Sequence, residues 1–298
     1  MRIIKNIFDA FIIFIMKLRN IRVYTLNGGL GDVFQLIDYL NSLPKDKSST
    51  VVYYLDKHNN KNPENYSYNL SRSYTSKDGH QINPINEFLS FYVEKKIIDC
   101  AIGKDIKKST YGVRLYCEFI KENNQFFERS ILKDFLLNDS NYLIKSLGIN
   151  SNKINISVHL RRNSDEILEI VYGLNEIFPN KIQFLILGSS EHQIIPEILN
   201  DIDTVSLIDS YSKGLSMREV LTLSSNSKFF IGGRGGFEYF HLRTGVPSIT
   251  IFDQGGFDEI KRGWWNKRLW DINEKSLLLK KDFKRQEILN HLTDHLND

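Results

Sequence analysis

Apolar positions along the chain fall into two alternating sets. In the first, Ile21-Arg-Val-Tyr-Thr-Leu26 is the apolar run of a strand, and Val33, Leu36, Ile37, Leu40 and Leu43 recur at helical spacing after Asn27-Gly-Gly-Leu-Gly-Asp32. Thr50-Val-Val-Tyr-Tyr-Leu55 reads as a second strand. Asp56–Pro84 shows little periodicity and is predicted to be a long polar loop with many tyrosines and the histidines His58 and His80. The spacing then predicts helices over Ile85–Ile98 and Tyr116–Leu147. Residues 148–153 combine a helix stop with a linker.

The second set is more regular. Strands are predicted at Ile154–Leu160, Ile182–Leu187 and Val205–Ile208, with helices at Ser164–Phe178, Glu191–Leu199 and Ser216–Ser224 between and after them. Lys228–Asp253 then reads as strand, glycine turn, helix and strand. After Gly255-Gly256 and the tryptophans Trp264, Trp265 and Trp270, a last helix is expected from about Lys281 to Leu296. Strands alternating with helices predict an α/β fold with mainly parallel sheets. The organisation expected is a segment 1–20, a Rossmann-like domain 21–149, a second one 150–272, and a C-terminal helical stretch 273–298.

Chemistry gathers at the turns. Gly232, Gly233, Gly235 and Gly236 surround Arg234 just before a helix, a pattern that lets backbone approach a ligand and aims amide groups at an anion. A phosphate-bearing ligand at Gly232–Glu238 is one reading, and a crowded strand–helix turn is the other. His159-Leu-Arg161-Arg162, Gly188-Ser189-Ser190 and Gly232–Glu238 all end predicted parallel strands and so share one sheet edge, where ligands of such folds bind. Arg161 and Arg162 suit a diphosphate through bidentate, permanently charged donors; alternatively they pair with Asp165, Glu166 or Glu169. Glu238, in the first helical turn, either stabilises that turn or accepts a sugar or ribose hydroxyl. Asp32 is either a cap on its helix or a general base. The chain is read as lacking an Asp-x-Asp triplet, so arginine rather than a metal is expected to meet the diphosphate.

Composition changes this picture little. A 41% hydrophobic and 12% aromatic chain has the material for a substantial core. Its 39 basic and 36 acidic residues, net +3, do not mark a nucleic-acid binder. The two cysteines, Cys100 and Cys117, lack zinc or disulfide spacing and suit a reducing, cytoplasmic setting. The amino terminus stands apart: Ile7–Met16 is strongly apolar and flanked by Arg2, Lys5, Lys17, Arg19 and Arg22. It is about half the length of a spanning helix, contains Asp9 and precedes no small-residue cleavage site. It is read either as an interfacial helix drawn to anionic lipid or as an amphipathic helix capping the domain.

Asn27-Gly-Gly-Leu-Gly-Asp32-Val resembles the early glycine turn of bacterial heptosyltransferases, and Phe230-Ile-Gly with Pro247-Ser-Ile-Thr-Ile-Phe is similar to their late glycine loop and strand. His159-Leu-Arg-Arg162 resembles the His-x-Arg-Arg of fucosyltransferases. Both are inverting glycosyltransferases of the GT-B type. The resemblance implies two Rossmann-like domains facing a cleft, with the nucleotide-sugar donor mainly on the C-terminal one. It implies Asp32 as the base that deprotonates the acceptor, Arg161 as the group stabilising the leaving diphosphate, and Gly235 and Gly236 as phosphate-holding amides. Gly29, Gly31, His159, Arg162, Ser189, Arg234, Phe237 and Glu238 complete the expected donor site. The partners implied are a nucleotide diphosphate sugar and a glycan or lipid-linked acceptor, with no further cofactor and no nucleic acid. The chain departs from the heptosyltransferase pattern at Arg234-Gly-Gly236 and Tyr239, and from the fucosyltransferase pattern at Asn163-Ser164. The rival expectations are a nucleotide-sugar hydrolase or epimerase on the same scaffold, and a non-catalytic partner in glycan assembly.

Overall fold

The computed structural model describes residues 11, 14, 15, 18, 22–26, 30–42, 50–56, 74–75, 81–82, 88, 91–95, 101–102, 106–107, 130–160, 162–187, 202–207, 215–261, 268–271 and 273–297. The chain forms two compact units, Met1–Thr75 with Gly79–Phe135, and Ser76–Asp78 with Leu136–Asp298.

In the N-terminal unit, β1 (Arg22–Leu26) is followed by α1 (Leu30–Ser42) and β2 (Thr50–Asp56). A two-stranded antiparallel pair joins β3 (Tyr74–Thr75) to β4 (Gln81–Ile82). β1 and β2 pair in parallel, and β2 also pairs in parallel with β5 (Ala101–Ile102) and β6 (Ile106–Lys107). Val33, Phe34, Leu36, Ile37 and Leu40 of α1 are buried, and Phe34 meets Phe88 edge-on at 5.0 Å. Phe88 in turn packs on Phe135, in a 3-10 turn at Leu132–Phe135. Asp38, fully buried in α1, accepts hydrogen bonds from Ser130 Oγ (2.8 Å) and Ile131 N–H (3.4 Å), which ties that turn to the helix.

The helix expected over Tyr116–Leu147 does not run through its described part. Residues 132–135 form the 3-10 turn, and only α2 (Asn141–Ser146) is α-helical. The apolar positions of this stretch serve two cores. Ile131, Leu132 and Phe135 are buried in the N-terminal unit. From Leu136 the chain is tied to the C-terminal unit: Arg218 donates to Leu136 O, Leu137 N–H to Thr222 Oγ1, and Tyr142 OH to Glu219 Oε1. The units therefore divide at Phe135–Leu136, ahead of the linker read at 148–153.

The C-terminal unit is built on β7 (Ile154–His159), α3 (Ser164–Ile177), β8 (Ile182–Leu187), β9 (Thr204–Leu207), α4 (Met217–Ser225), β10 (Phe229–Gly233), α5 (Gly236–Thr244) and β11 (Ser248–Phe252). It closes with α6 (Gln254–Lys261), α7 (Arg268–Asp271), β12 (Leu277–Lys280) and α8 (Arg285–Leu296). The six strands form one sheet in the order β12-β11-β10-β7-β8-β9, every pair parallel. Ser216 caps α4 with a reciprocal bond to Glu219, as its position before the apolar run predicts. β7, β8, β10 and β11 are nearly all buried, and Ile167, Ile170 and Leu174 of α3 share a core with Ile288, Leu289 and Leu292 of α8. Each such buried side chain contributes roughly 1.5–3 kcal/mol.

Two elements here escape the sequence pattern. Gly255-Gly256, to which the sequence pattern assigns no element, lies in the first turn of α6, where Asp253 Oδ1 accepts the Gly256 N–H at 2.7 Å and caps the helix. β12 pairs with β11 and makes residues 277–280 part of the sheet rather than of a separate helical tail.

Candidate functional site

Strand order places the site. β7, β8 and β9 run outward on one side and β10, β11 and β12 on the other, so the direction of winding reverses between β7 and β10. The crevice beyond the carboxyl ends of those two strands is where open parallel sheets bind ligands. β7 ends at His159 and runs into Leu160-Arg161-Arg162; β10 ends at Gly233 and runs into Arg234-Gly235. Two of the three segments picked out by sequence therefore leave neighbouring strands, with His159 in register with Gly232.

The loop after β7 lies across the end of β10. A Cβ on Gly233 would stand 2.8 Å from Arg162 Cβ and 3.0 Å from Arg162 O, so only glycine admits the loop there. Asn163 holds it from the far side: its backbone is left-handed (φ 54°), a conformation asparagine tolerates, and its Nδ2 donates to Ile251 O of β11 at 2.9 Å. Ile251 is the register partner of Gly233. Sequence reading missed this role of Asn163; its only signal was an asparagine between a strand and a helix.

At the other wall, Arg234, Gly235 and Gly236 are half-exposed, and the helix is buried from Phe237 onward. A Cβ on Gly235 would meet nothing within 4 Å, so this glycine faces open space, in contrast to Gly233. Glu238, the third residue of α5, is fully buried, and its Oε2 accepts the Gly235 N–H at 2.8 Å. Its Oε1 is buried with no hydrogen-bond partner among the described residues. Burial drives the Glu238 pKa up to about 8, against the opposing pull of the Gly235 N–H and the guanidiniums of Arg234 and Arg162. Near neutral pH the carboxyl is thus mostly protonated and does not cancel the positive charge of those arginines. An electropositive turn at a helix N-terminus is suited to an anion.

His159 and Phe237 sit beneath this surface. Both are buried, with rings 5.2 Å apart in an edge contact. His241, one turn after Phe237, is buried between Phe230 (4.6 Å, stacked) and Phe240 (5.9 Å, edge-on). Burial lowers its pKa to about 4, opposed by the carbonyls of Phe237 and Ser224, so the ring is neutral. Trp270 is also core, its Nε1–H donating to Thr250 Oγ1 at 3.1 Å.

Of the remaining sequence candidates, Gly29, Arg161 and Ser189 lie outside the described residues, as do Trp264 and Trp265. Gly31 is buried in the first turn of α1, and Asp32 is the third residue of that helix, its side chain outside what is described. Arg162 and Glu166, offered as an ion pair, part company: Lys281 Nζ takes Glu166 at 2.8 Å. Contrary to that reading, the chain contains an Asp-x-Asp triplet, Asp201-Ile202-Asp203; its Asp203 directly precedes β9 and so lies at the amino ends of the parallel strands, the edge opposite the site. Asp203 there accepts from Lys153 Nζ and from Gln183 Nε2 (3.0 Å); although burial raises its pKa, these partners bring it below the ordinary carboxylate value.

No protein-family model matches the chain, and no curated protein matches it in sequence. Solved structures do match its fold. The ADP-heptose lipopolysaccharide heptosyltransferase II of E. coli superposes with a TM-score of 0.50 at 9% identity, over 93% of this chain and 98% of that one. The family 9 glycosyl transferase of Veillonella parvula does so with a TM-score of 0.52 at 11% identity, over 93% and 97% of the two chains. The fold is α/β and GT-B-like. The likeness to heptosyltransferases first seen in two glycine turns thus reappears in architecture, whereas that to fucosyltransferases rests on four residues alone.

Proposed function

We propose that the chain is a glycosyltransferase that moves a sugar from a nucleotide diphosphate sugar to a glycan or lipid-linked acceptor, with inversion at the anomeric carbon and without a metal. The observation that carries this reading is the switch-point turn, where Arg162 and Arg234 converge on a glycine-led helix N-terminus whose glutamate is fully buried, its pKa raised by desolvation. In the transfer, Asp32 takes the proton of the acceptor hydroxyl as its oxygen forms the new glycosidic bond. The bond from the anomeric carbon to the phosphate oxygen breaks, and its electron pair leaves on the diphosphate. Arg161 and Arg162 stabilise that growing charge, and the amides of Gly235 and Gly236 hold phosphate. Glu238 stabilises the N-terminal turn that meets the phosphate, through the Gly235 N–H. Arg234 and Ser189 add contacts to the donor, His159 and Phe237 support its floor, and Gly29 and Gly31 let the chain turn into α1 beside the base. A GT-B-like fold shared with two glycosyltransferases supports the reaction class. The setting proposed is assembly of a bacterial surface polysaccharide, lipopolysaccharide or capsule, at the cytoplasmic side of the membrane.

Metal-free calorimetric titration with GDP, ADP, UDP and CMP tests the reading. Micromolar binding of one nucleotide, lost in Arg161→Ala, is expected, and EDTA should leave turnover unchanged. Binding of none by a folded protein would move the chain to the non-catalytic class. Donor consumption at full rate without acceptor would make it a hydrolase or epimerase.

A further inference from the structure

A second surface, in the N-terminal unit, stands independently of the transferase reading. Phe11, Phe14, Ile15 and Leu18 are helical, and Phe11, Phe14 and Leu18 are 56%, 58% and 70% exposed. Separations of three and four residues put them on one helix face. Among the described residues, the exposed large hydrophobic side chains are these three with Tyr142 and Ile177, so most of that exposure is one stripe. The surrounding sequence, residues 1–22, holds five basic residues, Arg2, Lys5, Lys17, Arg19 and Arg22, against the single acidic Asp9. Lys17 and Arg19 flank Leu18 directly in the chain. No helix among the described residues is long and apolar enough to cross a membrane.

We infer that this stripe seats the N-terminal unit on the surface of an anionic lipid bilayer. Phe11, Phe14 and Leu18 enter the boundary between headgroups and acyl chains, and the basic residues around them meet lipid phosphates. An aromatic, apolar face bordered by lysine and arginine matches both layers of that surface, apolar below and negatively charged above. Spanning is not needed for attachment, because apolar burial and charge act together.

The test uses the full chain and phosphatidylcholine vesicles with and without phosphatidylglycerol. Partition is expected to be at least about tenfold stronger with the anionic lipid and to weaken in high salt. A Phe14→Trp reporter should shift its emission to the blue on binding. Phe11→Ser/Phe14→Ser/Leu18→Ser should lose binding with its circular dichroism and Tm unchanged, since the three positions are exposed. Lys17→Glu/Arg19→Glu, which spares the apolar face, should lose about tenfold or more on anionic vesicles. Equal partition onto both vesicles, or none by the folded chain, overturns the inference. So does a dimer of the wild type that the serine variant dissolves without any vesicle binding, since the face would then pack against a second copy.

Discussion

Two helices begin alike in the two halves of the chain. α1 and α5 each follow a parallel strand and a glycine-bearing sequence, each is buried along most of its length, and each carries a carboxylate as its third residue, Asp32 and Glu238. In α5 the glutamate is long enough to reach back to the Gly235 N–H, and it spends one oxygen on capping its own helix. Aspartate at the same position is a methylene shorter than the residues that make this reach-back. The same third-position carboxylate caps its helix in the C-terminal unit, whereas in the N-terminal unit the proposed role of Asp32 is that of a base.

The sharpest way to break this contrast is Asp32→Asn. If Asp32 is the base, turnover falls by roughly 10²-fold or more while nucleotide affinity is nearly intact. Equal losses in both would make Asp32 a cap like its counterpart. Arg162→Ala comes next: loss of a charged contact to phosphate is expected to weaken nucleotide binding by roughly 10- to 100-fold, read by calorimetry. The two glycines of the α5 turn should then separate. Gly233→Ala forces its Cβ into Arg162 and is expected to cost about 1–3 kcal/mol in denaturant unfolding. Gly235→Ala should change stability by no more than about 0.5 kcal/mol yet weaken nucleotide binding, because its side faces open space.

A pH profile sharpens the contrast further. Glu238, raised to about 8 in the fold, stabilises fully below its unfolded pKa near 4.5 and loses that contribution as pH rises toward 8. His241, lowered to about 4, stabilises above its unfolded pKa near 6.5 and loses that contribution as pH falls toward 4. Their slopes oppose each other from about 4.5 to 6.5, so unfolding free energy should be flat there and decline on either side, by at most about 1.4 kcal/mol per pH unit. Glu238→Gln should remove the alkaline decline and leave the acid one. The smallest effect belongs to Asp203→Asn, at the opposite sheet edge, which should leave turnover unchanged both with and without EDTA. A loss of turnover as deep as that expected of Asp32→Asn would bring the acidic triplet into the chemistry.

Much of this arrangement was legible before any coordinates. Strands whose apolar runs are short and bounded by glycine or polar residues were read within a residue or so of where β1, β2, β7 and β8 lie. The helix over Tyr116–Leu147 misled because apolar residues feeding two different cores mimic one continuous face. β12 escaped because Leu277–Lys280 is half-buried and becomes a strand only by pairing with β11.

The sequence by itself determined the alternation of elements, the two glycine turns, the third-position carboxylates and the arginines that follow a strand. These rest on local rules of periodicity, glycine conformation and helix-end chemistry, which act over a few residues. Tertiary structure alone decided that β7 and β10 are neighbours at the point where the sheet reverses, and that Asn163 straps the arginine loop across Gly233. It alone sent Asp203 to the far edge and raised the pKa of Glu238 by burying it. Register and desolvation are set by residues distant in the chain, and no short stretch carries them.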